Sequence, residues 1–149
     1  MIKTISEGTN YTAIDIGALD KLSDYSFIHP KLGHTVESKL FVGELLKSTG
    51  SEVSFMELPS KTIVSFLHKH KKHEEIYIFL KGTGHFQVDE DVFPIKEGSL
   101  VRVSPNGSRT LSNYSENSMI YMVIQTVADT LNSYNISDGY RLEGEIKIK

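Results

Sequence analysis

Residues 68–82 read HKHKKHEEIYIFLKG, from His68 to Gly82. His68 and His70 stand one residue apart, so they lie on the same face of a strand, where side chains alternate with period two. A short turn follows, and Glu75 opens a second run that can bring its carboxylate back to that face. Two imidazoles and a carboxylate converging on one point form a donor set for a first-row divalent metal with open positions. The spacing therefore predicts two neighbouring strands, with His68, His70 and Glu75 as candidate metal ligands.

The faces of these two runs carry further information. Across residues 62–70 the histidine face also holds Val64 and Phe66, an expected apolar lining, while Lys69 and Lys71 fall on the opposite face. In the second run Glu75 shares its face with Tyr77 and Phe79, which makes Tyr77 a candidate ligand-binding residue. The other face, Ile76, Ile78 and Leu80, is equally apolar. A strand apolar on both faces needs cover on both. The N-terminal segment, the C-terminal tail or a second subunit could supply it, and a homodimer is the expectation.

Outward from this centre, from about residue 52, the chain is a series of short β-type runs at 52–58, 62–70, 74–82, 85–89, 99–104 and 119–125. Turn residues separate them, including Gly82-Thr83-Gly84, Asp89-Glu90-Asp91 and Pro105-Asn106-Gly107. Short strands at this spacing indicate an all-β sandwich or barrel. The one helix-like piece, residues 39–47, is short enough to be a strand. Gln125 is polar within an otherwise apolar final run and is a candidate for pointing into the barrel. His85 follows a Gly-Thr-Gly turn and is a further candidate for the pocket. His73 lies in the turn between strands, and His29 and His34 belong to no recognisable ligand pattern.

Bulk properties narrow the class. A chain of 149 residues is the size of one domain and buries roughly 70% of its unfolded surface. The net charge of −3 gives no electrostatic case for nucleic acid or an anionic membrane. There is no cysteine, so any metal takes nitrogen and oxygen donors. The N-terminal residues lack the apolar centre of a signal peptide and no stretch reaches the length of a membrane span, so a cytoplasmic location is the expectation.

The stretch resembles the first conserved motif of the cupin superfamily, G-x5-H-x-H-x(3,4)-E-x6-G. His68, His70, Glu75 and Gly82 fit its spacing, with Thr62 at the leading glycine. Fifteen residues, 83–97, separate it from Gly98, where the second motif, G-x5-P-x-G-x2-H-x3-N, would begin and end on Asn113. The histidine of that motif falls on Arg109, and its Pro-x-Gly is displaced by one residue to Pro105 and Gly107. The resemblance implies a double-stranded β-helix, or jelly-roll barrel, over residues 52–126, with an N-terminal arm (1–51) and a C-terminal tail (127–149). With all four ligands present it implies a divalent iron, manganese, nickel, zinc or copper ion.

Arginine has no lone pair to donate and keeps its charge. The expected site is thus a three-ligand centre, for Fe, Mn, Ni or Zn, with Arg109 at its edge clamping an anionic ligand, or a former metal site now used only for binding. Three functional readings follow. One is a metal-dependent enzyme acting on a small anionic or oxygen-rich molecule. Another is a metal-free ligand-binding or sensor barrel, and the third a metal-free sugar isomerase or epimerase using a histidine base. Fold alone does not choose among them.

Overall fold

The computed structural model describes residues 1–30, 33–134 and 137–148. It is almost all β, with thirteen strands and one short 3₁₀ turn among these residues. The N-terminal part holds β1 (Lys3–Gly8), β2 (Tyr11–Asp15), the 3₁₀ turn (Leu19–Asp24), β3 (Ser26–Ile28), β4 (Thr35–Glu37) and β5 (Lys39–Phe41). The barrel continues through β6 (Glu52–Leu58), β7 (Thr62–Ile63), β8 (His73–Lys81), β9 (Thr83–Val88), β10 (Asp91–Lys96), β11 (Leu100–Val103), β12 (Arg109–Asn113) and β13 (Met119–Val127). A five-stranded sheet, ordered β11-β8-β13-β6-β5, faces a four-stranded sheet, ordered β10-β9-β12-β7. This is a double-stranded β-helix.

Alternation along β8 explains why the sheets close on each other. Glu75, Tyr77 and Phe79 are buried, while their neighbours are half-exposed. Their rings meet Phe86 of the opposite sheet edge to face, Tyr77 at 4.9 Å and Phe79 at 6.2 Å, the arrangement that suits aromatic quadrupoles. Leu58, Ile95, Val103, Leu111, Met119, Tyr121 and Val123 complete this inner core. A second cluster, built on Leu22, Leu40, Val42 and Ile120, lies on the outer face of the five-stranded sheet, with Ile2, Ile14 and Ile16 of the N-terminal arm packed against it. The arm thus supplies part of the outer cover that β8 requires.

Both motif glycines sit where the chain must turn. Gly82 joins β8 to β9 at φ +89°, and a Cβ there would come within 2.9 Å of the Met119 backbone. Gly98 turns the chain from β10 to β11 at φ +83°, with Ser99 N–H donating to Lys96 O at 2.9 Å. Asn113, fully buried, closes the other end of that motif. Its side-chain amide donates to Leu58 O, Pro59 O and Asn117 O at 2.8–3.0 Å. Its Oδ1 accepts from the backbone and hydroxyl of Ser115.

Several expectations are corrected. The segment 62–70 is not one strand: β7 pairs only at Thr62 and Ile63, and His68 rejoins the sheet through an isolated bridge to Arg109. The register slips by two residues between these points, and the surplus bulges outward at Ser65–Leu67. Phe66 still lies beside His68, with ring centroids 5.8 Å apart, but it is 60% exposed rather than a buried lining. The helix-like piece at 39–47 divides into β5 and a turn. Strand β10 contains Pro94 yet forms, because it is the sheet edge and loses no ladder donor.

Candidate metal centre

The two histidines are positioned by backbone bonds to the neighbouring chain. His68 and Arg109 exchange N–H···O bonds of 3.2 and 3.0 Å, and His70 N–H donates to Pro105 O at 3.1 Å. Their rings lie 5.7 Å apart and Lys69 between them is exposed, so the period-two argument places both imidazoles on one side. Glu75 comes from β8 in the opposite sheet. His68, His70 and Glu75 each offer a donor atom, and all three atoms lie within 4.8 Å of one another.

The Glu75 carboxylate is used asymmetrically. Its Oε2 accepts from Arg109 Nε at 3.0 Å, Arg109 Nη2 at 2.6 Å and the Tyr77 hydroxyl at 2.7 Å. Its Oε1 faces His70 Nε2 at 3.2 Å, without hydrogen-bond geometry, since that nitrogen has no partner. His68 Nδ1 is also buried and unpartnered, and its Nε2 stands 3.8 Å from Oε2, beyond hydrogen-bond range. Buried polar atoms are nearly always satisfied. Here one nitrogen on each imidazole is left over, and that of His70 faces the Glu75 oxygen that Arg109 and Tyr77 leave unused.

Charge at the site follows from these contacts. Burial opposes ionisation of Glu75, but the nearby His68 imidazole, the hydrogen bonds from Tyr77 and Arg109 and the Arg109 charge outweigh it and hold the carboxyl well below the usual range. Burial pushes His70 below the ordinary histidine value; Glu75 opposes this, while Arg109, His68 and His73 add to it. His70 is therefore neutral at neutral pH, with a lone pair to give. Burial, reinforced by Glu75, raises Tyr77 and Tyr121 far above the usual phenol range, so both stay protonated.

These shifts set a pH dependence. A carboxyl with a depressed folded pKa stabilises the fold above its unfolded value, and that contribution is lost as pH falls; a histidine with a depressed pKa acts in the same direction. Urea unfolding of metal-free protein should therefore show stability dropping by on the order of 2 kcal/mol between pH 5 and pH 3, as pH falls below the ordinary carboxyl value of 4.5. The slope should be shallower in Glu75→Gln. A flat profile in the unaltered protein would contradict the Glu75–Arg109 pairing.

The other candidate residues divide. Gln125 on β13 pairs directly with Glu75 and so shares its inward face. Tyr77 is 3% exposed and supports Glu75 from behind. Arg109 is corrected: it is 0% exposed, with Nη1 donating to Gly107 O at 2.9 Å and its other donors on Glu75. A buried carboxylate needs a fixed counter-charge, and that requirement takes the guanidinium away from any ligand. His85 is corrected too. It lies on the outer face of β9, alternating with buried Phe86, and its ring sits 5.3 Å from that of Tyr114, in an open surface groove away from the histidine pair. Tyr121 was missed, although it alternates with Gln125 along β13 and its face was legible on that ground.

The donor set fits a divalent transition metal: two imidazoles, at least one of them neutral, and a carboxylate oxygen with no protein partner. The histidine side chains are 35% and 25% exposed, which leaves room for non-protein ligands. Arg109 cancels the Glu75 charge, so attraction for a dication is weaker than the donor count alone suggests.

Comparison with known proteins gives one answer on the fold. Residues 54–125 match the Cupin domain family. A cupin protein from Bacteroides fragilis is 33% identical and superposes with a TM-score of 0.66, over 70% of this chain and 89% of that one. A predicted oxalate decarboxylase from Thermotoga maritima is 25% identical with a TM-score of 0.55, over 63% and 82% of the two chains. An uncharacterized protein of Methanocaldococcus jannaschii is 37% identical over 54 residues, 36% of this chain. The match spans about two-fifths, 41%, of that curated relative.

Proposed function

The chain belongs to the cupin superfamily, and from that premise we propose that its barrel holds a divalent transition metal on His68, His70 and Glu75 and binds a small anionic ligand beside it. One observation carries the reading: donor atoms of His68, His70 and Glu75 lie within 4.8 Å of one another, and the buried His70 Nε2 that faces Glu75 Oε1 has no hydrogen-bond partner. Iron, manganese, nickel and zinc all accept two imidazoles and one carboxylate. When bound, such an ion supplies Lewis-acid polarisation of ligand oxygens.

The chain's own residues do the rest. Arg109 and Tyr77 fix the Glu75 carboxylate so that Oε1 stays turned to the histidines. The backbone bonds to Arg109 and Pro105 hold the two imidazoles in place before any ligand arrives, as a preorganised centre requires. Anionic ligands are favoured because Glu75 is already neutralised and its charge does not repel them. The Thermotoga relative, named for oxalate, supports a small carboxylate as the ligand class. Thermal unfolding of chelator-stripped protein tests the reading. Mn²⁺, Fe²⁺, Ni²⁺ or Zn²⁺ should raise the midpoint in a saturable way. No response to any of the four would leave a metal-free binding barrel, a role that the neutralised Glu75 also suits.

The same proposal includes a homodimer. Ile76, Ile78, Met122 and Ile124 belong to neither core cluster, and the neighbouring Leu100 is 66% exposed. A second copy presenting the same face would cover them. Sedimentation should give twice the chain mass at micromolar concentration; a monomer there would contradict it. Among the described residues no helix is long and apolar enough to cross a membrane.

A further inference from the structure

With Arg109 sealed behind Glu75, anion recognition falls to another cation, and we propose that it is Lys39, whose ammonium binds the carboxylate or phosphate oxygens of a ligand seated at the histidine cluster. This rests on the reading of the pocket as an anion site. Lys39 opens β5, the edge strand of the five-stranded sheet. It pairs with Met56, and Met56 pairs with Tyr121; residues opposite each other across antiparallel strands share a face. Tyr121 belongs to the inner core and Met56 packs against it, the Tyr121 hydroxyl donating to the Met56 sulfur at 3.0 Å. The next residue, Leu40, sits in the outer cluster. Alternation therefore turns Lys39 into the barrel, the side on which Glu75 lies.

Lys39 is half-buried, and its ammonium lies 4.8 Å over the Phe41 ring. Among the described residues no hydrogen bond or ion pair engages it. Burial pushes its pKa below the usual lysine range while the Glu75 carboxylate acts in the opposite direction, so the two groups are within electrostatic reach of each other. An ammonium placed there without a partner is costly. An incoming oxyanion removes that cost and gains a charge-assisted hydrogen bond. Since Arg109 and Glu75 cancel, Lys39 also carries the pocket's net positive charge before any metal enters.

An inward-pointing lysine can also serve to keep an edge strand from pairing with another chain. That role needs no anion, which gives the experiment its contrast. The full chain is titrated with oxalate and with inorganic phosphate at constant ionic strength, glycerol being the uncharged control, and binding is read by calorimetry. At least one anion should bind the unaltered protein saturably and glycerol should not. Lys39→Met should weaken that anion roughly 10- to 100-fold, and Lys39→Arg should retain it within a few-fold. If Lys39→Met fails to fold, Lys39→Gln carries the same comparison. The inference is overturned if neither anion binds, or if the lysine-free variant binds as well as the parent. Metal content is measured in parallel. Lys39-dependent anion binding in a protein that takes up no metal would overturn the metal reading and sustain the role of Lys39. Metal uptake with Lys39-independent anion binding would do the reverse.

Discussion

Arg109→Met lowers the unfolding free energy by roughly 3–5 kcal/mol, the range for removing one partner of a buried ion pair. Methionine fills much of the arginine volume, so the loss is electrostatic rather than a cavity effect. Glu75, only 7% exposed, is left with the Tyr77 hydroxyl as its one neutral donor on Oε2. At this chain length the loss corresponds to a fall in melting temperature of about 10 °C or more. The double variant Arg109→Met with Glu75→Gln removes both charges together and should recover most of the loss, giving a coupling energy above about 1 kcal/mol in a double-mutant cycle. Urea unfolding of the four proteins supplies all the terms. Additive losses would mean that the two side chains are not a pair.

His70→Ala produces the largest effect on ligand affinity. It removes one of three donors, and its nitrogen is the one that faces the free Oε1 of Glu75. Two donors with a neutralised carboxylate do not hold a divalent ion, so affinity should fall by roughly 100-fold or more; even loss of a residue that only orients a ligand costs 10- to 100-fold. Competition against a chromophoric chelator measures the change. Circular dichroism should show an intact barrel, because His70 lies outside every regular strand and its backbone bond to Pro105 does not depend on the side chain. Retained affinity would remove His70 from the ligand set.

The centre was legible because its signal is one of spacing. His68, His70 and Glu75 could be assigned to one point from period-two alternation and one turn, although the segment carrying the histidines is a bulged, irregular run rather than a strand. Gly82, Gly98 and Asn113 were legible for the same reason, since each occupies a position that a positive φ or a buried amide dictates. Strand β12 was not legible. It reads Arg-Thr-Leu-Ser-Asn, buried at all five positions, and its polar groups are buried because partners across the barrel and in the sheet satisfy them. No periodicity reports that. Arg109 was visible as a substitution, but its direction was not: only three-dimensional packing shows that Glu75 claims it. Lys39 sits in a three-residue strand, too short for alternation to be read, and the N-terminal hairpins bury little, so they leave no apolar pattern.

His68, His70 and Glu75 are expected to hold one metal ion. Elemental analysis of untagged protein, purified without chelator and then re-measured after titration with Mn²⁺, Fe²⁺, Ni²⁺ and Zn²⁺, addresses this most directly. The predicted result is about one equivalent per chain, as the single three-donor cluster allows, with none retained by His70→Ala. Less than about a tenth of an equivalent, unrestored by any of the four ions, would contradict it.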